Sequence, residues 1–280
     1  MKLSIMLFPF HGDLKEGKYT ATEMLEKFYS VGIRGLEPML SGIDALPEVW
    51  EETHKAAASL GMGFTCFDLG ANLVGTCDED REAALETVVR GVELCKKFDC
   101  PVALLPGSGP AKGMSNDEGR HIYSKQLAKA AKLTSDLGVT LSIEDFGVTP
   151  EFTCHSSHVL EVVQNAGPEI KVTWDSGNFM IADEMPLEAY APLKSRMVHV
   201  HIKDWAPVDP NGEVGLQTPL GKRWVGAQIG QGSGQVREVI EKLHADGYDG
   251  WISLEVGVAP ALEAGVIGAN YVKGVWDSLG

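Results

Sequence analysis

The sequence predicts an α/β chain folded as a single (β/α)8 TIM barrel. Three observations carry this. Eight short β-rich runs alternate with longer amphipathic stretches, as βα units around a parallel sheet require. Glycine recurs where a helical pattern gives way to the next strand pattern. The length, 280 residues, suits a barrel of this type, which takes roughly 250 residues.

The strands are read at LSIMLF (3–8), IRGLE (33–37), GFTCF (63–67), VALLP (102–106), VTLSIE (139–144), KVTWD (171–175), VHVHI (198–202) and WISLEV (251–256). Between them, ATEMLEKFYSVG (21–32), residues 79–98, SKQLAKAAKLTSDLG (124–138) and VREVIEKLHADG (236–247) repeat apolar residues with helical period. Gly32, Gly61, Gly138 and Gly247 suit left-handed helix C-caps. No linker or low-complexity segment divides the chain, so residues 1–280 read as one barrel domain. The region 205–234, rich in Gly and Pro, reads as the longest irregular connection. It leaves strand seven on the face where long loops carry function.

Composition narrows the function. A formal charge of -15 would repel a phosphate backbone or an anionic membrane, and no run approaches the roughly 20 apolar residues of a membrane span. The expected partner is therefore a small molecule, not nucleic acid or lipid. MKLSIMLFPFHG reads as a first strand instead of a signal peptide, because Pro9 and His11 break a short apolar run. Five cysteines (Cys66, Cys77, Cys95, Cys100, Cys154) without CxxC spacing read as reduced thiols, hence a cytoplasmic setting.

Glu144, Asp175, His201 and Glu255 each fall at the C-terminal end of a predicted strand, and the four strands are consecutive. Strand C-termini converge on one rim of such a barrel, so residues distant in sequence can meet there. Two positions earlier, on the same strand face, stand Ser142, Thr173, His199 and Ser253. An ordinary barrel interior is branched and apolar, so these polar groups need partners, and a hydrogen-bonded layer that orients metal ligands supplies them. Three adjacent carboxylates would repel unless one took up a proton or a dication lay between them. The donor set favours Mn²⁺ ahead of Mg²⁺, Co²⁺ or Zn²⁺. No organic cofactor is expected.

Around this tetrad, Glu37 ends strand two and reads as a substrate contact or a hydrogen-bond partner. Lys203 continues the inward parity of His201 and reads as a group that polarises a substrate oxygen or pairs with Asp204. His199 reads as a buried hydrogen-bonding partner, and His11, just past strand one, as a candidate for the pocket wall. Phe8, Phe10, Trp174, Trp205 and Trp224 could wall off the site. Lys222 and Arg223 suit an anionic substrate or an interface, and Gly230, Gly232 and Gly234 precede a helix as a tight turn or a phosphate cradle.

Taken in order, GIRGLEP (32–38), LSIED (141–145), VTWDSGN (172–178), VHVHIKDW (198–205), GQGSGQV (230–236) and GYDGWISLEV (247–256) resemble motifs of the xylose-isomerase-like barrel superfamily. The resemblance is to its sugar phosphate isomerase/epimerase group, which contains tagatose 3-epimerase-like and inosose isomerase or dehydratase-like enzymes. It implies that Glu144, Asp175, His201 and Glu255 ligate the metal and that Glu144 and Glu255 double as acid/base groups. The implied reaction is isomerisation or epimerisation of a keto sugar, keto-inositol or related compound through an enediolate, with an inosose dehydratase-like lyase as the alternative. The substrate contacts would come from Lys203, Glu37, His11 and Trp205. Barrels of this group often associate, so a homo-oligomer is an expected partner. Apurinic endonucleases resemble the barrel too, but they need a basic DNA face. The motifs depart at Asp145 and Phe146, Asn178 and Pro207, where relatives carry Asn-His, His and Arg, which leaves the substrate open.

Overall fold

A computed structural model describes all residues, 1–280. The parallel sheet runs β1 (Lys2–Met6), β2 (Gly35–Glu37), β3 (Gly63–Phe64), β4 (Phe67–Asp68), β5 (Val102–Leu105), β6 (Thr140–Glu144), β7 (Lys171–Asp175) and β8 (Met197–Ile202). A short antiparallel sheet of β9 (Trp205–Pro207), β10 (Leu216–Gln217) and β11 (Arg223–Gly226) intervenes before the last barrel strand, β12 (Trp251–Leu254). In space the order is β3-β2-β1-β12-β8-β7-β6-β5-β4, every pair parallel. The third strand breaks at Thr65 and Cys66. Its first half pairs with β2 and its second with β5, so the nine pieces occupy eight positions and nearly close a barrel.

Helices line the outside: α1 (His11–Lys15), α2 (Ala21–Ser30), α3 (Leu40–Ala45), α4 (Pro47–Leu60), α5 (Asp78–Lys97), α6 (Asn116–Leu133), α7 (Ser156–Ala166), α8 (Pro186–Leu193), α9 (Val236–Ala245) and α10 (Ala261–Asp277). Local chemistry sets their ends. Thr20 and Glu23 close a capping box on α2. Ser115 accepts from the Glu118 N–H and starts α6 eight residues before the expected 124, because the cap outweighs the weaker apolar period of the first turns. Gly61, Gly138 and Gly247 hold φ of +68°, +72° and +68°, the left-handed geometry expected of them. Helix and strand faces meet in one continuous apolar layer. Trp50, Phe64, Phe67 and Phe98 pack edge-to-face, tilted or stacked there with centroids 5.2–6.2 Å apart. Burying each such ring contributes roughly 1.5–3 kcal/mol.

The interior of the barrel is polar near its middle. Ser4 bonds Thr65 at 2.7 Å, Ser142 bonds Thr173 at 2.7 Å, and His199 bonds Glu37. Strand two has no room for a side chain at this level: a Cβ on Gly35 would lie 2.5 Å from Thr65 Cγ2 and 2.9 Å from Ser4. The expected layer beneath the tetrad is thus present, but Ser142 and Thr173 satisfy each other instead of the ligands above, and Ser253 Oγ has no partner. The region 205–234 is the long, largely irregular connection expected, with one short sheet inside it. Three short stretches between residues 205 and 226 pair as the β9–β11 sheet, and Trp205 and Leu216 of that sheet line the cavity at the barrel mouth. No helix is long and apolar enough to cross a membrane.

Candidate metal centre

Strand ends deliver the tetrad. Glu144 and Asp175 are the last residues of β6 and β7, His201 pairs in register with Asp175, and Glu255 follows β12 with its N–H bonded to Ile202 O at 3.0 Å. One donor atom from each of the four lies within 4.8 Å of those of the others, and all four residues are buried. Each is held differently. Asp175 Oδ1 accepts from the Gly177 and Asn178 N–H groups at 2.6 and 2.9 Å, while its Oδ2 is buried without a partner. His201 presents Nδ1 to Glu144 Oε1 at 2.6 Å and Nε2 to Glu37 Oε2 at 2.9 Å. Glu255 lies 2.5 Å from the Lys203 ammonium, which also donates to Asn178 Oδ1 at 3.3 Å.

The electrostatics follow from burial opposed by neighbours. Burial pushes the Asp175 carboxyl well above the usual range and Glu255 adds to it. Asp145, wholly buried with Oδ1 on the Asp175 N–H at 2.8 Å, is pushed up by burial and by Asp175. Burial would also raise Glu255, but the Lys203 ammonium outweighs it and holds the carboxyl below its ordinary value. In the same way burial would depress His201, yet Glu37 and Glu144 hold the imidazole well above its ordinary range. Burial would raise Glu37 too, and His199 and His201 keep it low instead. The result is a dry cluster with more carboxylates than cations and an orphaned oxygen, Asp175 Oδ2, turned into it. Three carboxylates and one imidazole of this kind fit a divalent ion, which would relieve the repulsion and occupy the orphaned lone pair.

Glu144 and Glu255 of the tetrad line a cavity of about 440 Å³, together with Lys203, Asn178 and Trp205 among others. Two candidates stand elsewhere. His11 does not reach it: Pro9 turns the chain into a 3-10 turn at Phe8–Phe10, so His11 opens α1 and packs on Gly42 in a separate crevice with Leu14 and Trp50. Glu37 is not a wall residue but lies beneath the tetrad, both carboxylate oxygens taken by His199 and His201, where it fixes which His201 nitrogen faces the tetrad. Of the aromatic residues, Phe8 and Trp205 line the cavity, whereas Phe10 packs on Phe28 and Trp174 on Phe179 and Tyr190. Lys203 pairs with Glu255 and not with Asp204, because Asp204 points the other way.

What Asp204 does there answers the glycine question. Its carboxylate accepts from the N–H groups of Trp205, Gly230, Gly232 and Gly234 at 2.8–3.0 Å, so the loop wraps a side chain of its own protein and is not free to cradle a phosphate. A Cβ on Gly232 would lie 2.5 Å from the Trp205 carbonyl oxygen, which is why the loop needs glycine at that position. Asp204→Ala is expected to cost about 3 kcal/mol, since four donors lose a charged acceptor. A urea-melt midpoint close to the parent's would show that the loop holds without it.

Sequence reading passed over Asp68. Its strand was ended at 67, one residue short, yet Asp68 closes β4 and lines the cavity. Burial, and then Glu144, push its carboxyl up to about 7, so near neutrality it is available as a hydrogen-bond donor. The rule that found the tetrad, a carboxylate at a strand end, finds Asp68 once the strand is extended.

A family model described as xylose isomerase-like TIM barrel matches residues 25–269. The inosose dehydratase of Clostridium botulinum (strain Alaska E43 / Type E3) is 25% identical over 165 residues, covering 56% of this chain and 55% of that protein, so the match spans about half the length of this curated relative. Among solved structures, an IOLI protein with a bound zinc atom superposes with a TM-score of 0.76 at 15% identity, covering 99% of both chains. A D-tagatose 3-epimerase-like protein superposes with a TM-score of 0.72 at 19% identity, covering 100% of both.

Proposed function

The chain belongs to the xylose isomerase-like TIM barrel family, and on that premise we propose that it is a divalent-metal-dependent isomerase or epimerase of a keto sugar, keto-inositol or related polyhydroxy carbonyl compound. The observation that carries the reading is the pairing of Glu144 and Glu255: two buried carboxylates with donor atoms within 4.8 Å of each other, at the end of one cavity. A single substrate carbon resting there is within reach of both.

The fit of the donor set assigns the ion to Glu144, Asp175, His201 and Glu255, with Mn²⁺ the expected metal. When bound, such an ion supplies Lewis-acid polarisation of a carbonyl, which lowers the cost of losing the neighbouring C–H proton. The chain does the rest. Lys203 keeps Glu255 ionised and so ready to accept that proton. Glu144 faces the same carbon and, once it has taken a proton from solvent, delivers it to that carbon for epimerisation or to its neighbour, through the enediolate, for aldose-ketose isomerisation, while Glu255 passes the proton it took back to solvent. Asn178 uses Oδ1 on Lys203, which leaves its amide N–H groups for a substrate oxygen. Phe8 and Trp205 exclude water from the cavity.

A dehydratase is the second reading, favoured by Asp68: a carboxyl held in its neutral form in the same cavity can give a proton to a departing hydroxyl. The inosose dehydratase relative is consistent with it. A panel of ketoses and inososes incubated with Mn²⁺-loaded protein in D₂O tests both. Deuterium gained at carbon without loss of water supports the isomerase or epimerase, and an unsaturated product supports the dehydratase. Absence of exchange across the panel would overturn proton transfer altogether.

A further inference from the structure

We propose that the substrate is an uncharged polyhydroxy ketone bearing an apolar substituent, and that Leu216 and Val148 seat that substituent at the mouth of the cavity. The inference rests on the proton-transfer reading above and names the substrate class it serves.

Charge comes first. Lys203 is the one basic side chain lining the cavity, and Glu255 already neutralises it. The other anion-binding devices nearby are taken or stand outside the cavity lining, as Lys222 and Arg223 do. Lys222 pairs with Asp183 at 3.2 Å, Arg223 donates to Gly215 O and Gln217 Oε1, and the N–H groups of the glycine loop close on Asp204. Away from the ion that the tetrad would hold, a phosphate or carboxylate on the substrate would enter among Asp68, Glu144 and Glu255 with no side-chain cation free to meet it.

Depth comes second. Four polar lining residues form the floor, Asn178, Glu144, Asp68 and Glu255, only 4–8% exposed. The mouth carries exposed aliphatic side chains beside the one exposed polar side chain, Asn72: Val148, after β6, is 70% exposed and Leu216, on the β9–β11 hairpin, 41% exposed, and both line the cavity. Phe8, Met39 and Phe146 stand half-buried along the walls. Two loops from different parts of the chain thus hold aliphatic groups over a polar floor. A bare polyol would bury hydroxyls against them for no gain, whereas an apolar group joined to the polyol would cover them. At about 440 Å³ the cavity is also within the range of roughly 300–1,000 Å³ that holds ligands larger than a single sugar ring.

Calorimetric titration of the Mn²⁺-loaded protein with methyl β-D-glucopyranoside, phenyl β-D-glucopyranoside and D-glucose 6-phosphate tests the inference. The phenyl glycoside is expected to bind at least about tenfold more tightly than the methyl one, and the phosphate more weakly than either. Val148→Ser combined with Leu216→Ser is expected to bring the phenyl/methyl ratio to within about twofold while the methyl glycoside binds as before. Leu220→Ser, on the same hairpin but outside the cavity lining, is expected to keep the ratio. Equal binding of the two glycosides, no binding of either up to the solubility limit, or tighter binding of the phosphate overturns the inference. So does a dimer, seen by light scattering, that Leu216→Ser and Leu220→Ser both dissociate while no phenyl preference exists, since a second copy would then be what covers the mouth. Deuterium exchange into unsubstituted ketones without a phenyl preference removes this inference alone. A phenyl preference without exchange into any ketone sustains the seat and removes the reaction.

Discussion

Glu255→Gln is expected to slow deuterium exchange into the substrate by about a thousandfold, within the 10²–10⁴ that a positioned general base supplies. Gln keeps the volume of Glu, and its amide oxygen can still accept from Lys203, so the loss falls on the proton transfer more than on packing. The Lys203 ammonium gives the experiment a second readout. It outweighs burial and holds Glu255 below the ordinary carboxylate range, so the base form persists well into acid. Lys203→Met removes that support while burial remains, and the acid limb of the kcat/KM profile is expected to move to higher pH. A Glu255→Gln variant within tenfold of the parent, or an acid limb that stays put in Lys203→Met, would show that Glu255 is not the base that Lys203 serves.

How much of this was legible in the chain follows from what each signal encodes. The barrel and the tetrad were, because strand period and strand ends are local properties: four polar residues at four consecutive strand ends need no knowledge of the packing to be seen together. The partners of those residues were not, because they are set by which strands become neighbours. Glu37 reaches His201 across the barrel from a residue 164 positions away, a pairing that no spacing announces. His11 was a pocket candidate because it stands just past strand one, but β1 ends at Met6 and the 3-10 turn at Phe8–Phe10, with Pro9 in its first turn, carries the chain away from the mouth before His11. The glycine loop is the turn the sequence suggested, and the phosphate cradle stayed open as an alternative because the sequence shows N–H groups and not their acceptor; Asp204 stands 26 residues before Gly230 and takes them. Asp68 was lost to a strand boundary placed one residue early, the least secure part of any reading by pattern.

Mn²⁺ is expected to raise the melting temperature by an amount that grows with pH between 5 and 8. In metal-free protein Asp68, Asp145 and Asp175 all have folded-state values raised by burial, Asp68 from 3.8 to about 7. A raised acid binds more protons folded than unfolded, so its contribution to stability is present below the unfolded value and is lost as pH climbs through the folded one. For Asp68 alone, a rise of about three units corresponds to at most about 4 kcal/mol lost across that window. His201, also raised, adds to the decline at higher pH, whereas the depressed Glu37 and Glu255 gain theirs around the unfolded carboxylate value, at the acid edge of the window. A dication reverses the balance, because it needs the tetrad deprotonated and compensates the charge that burial penalises. The metal-dependent increment in calorimetric scans with Mn²⁺ against EDTA should therefore widen by about 5 °C or more from pH 5 to pH 8. Asp68→Asn should flatten the metal-free curve between about pH 4 and 7 while the increment survives, since Asp68 is outside the tetrad. An increment that is level in pH would mean that the carboxylates are already ionised without the ion, and the case for a dication as their neutraliser would fall.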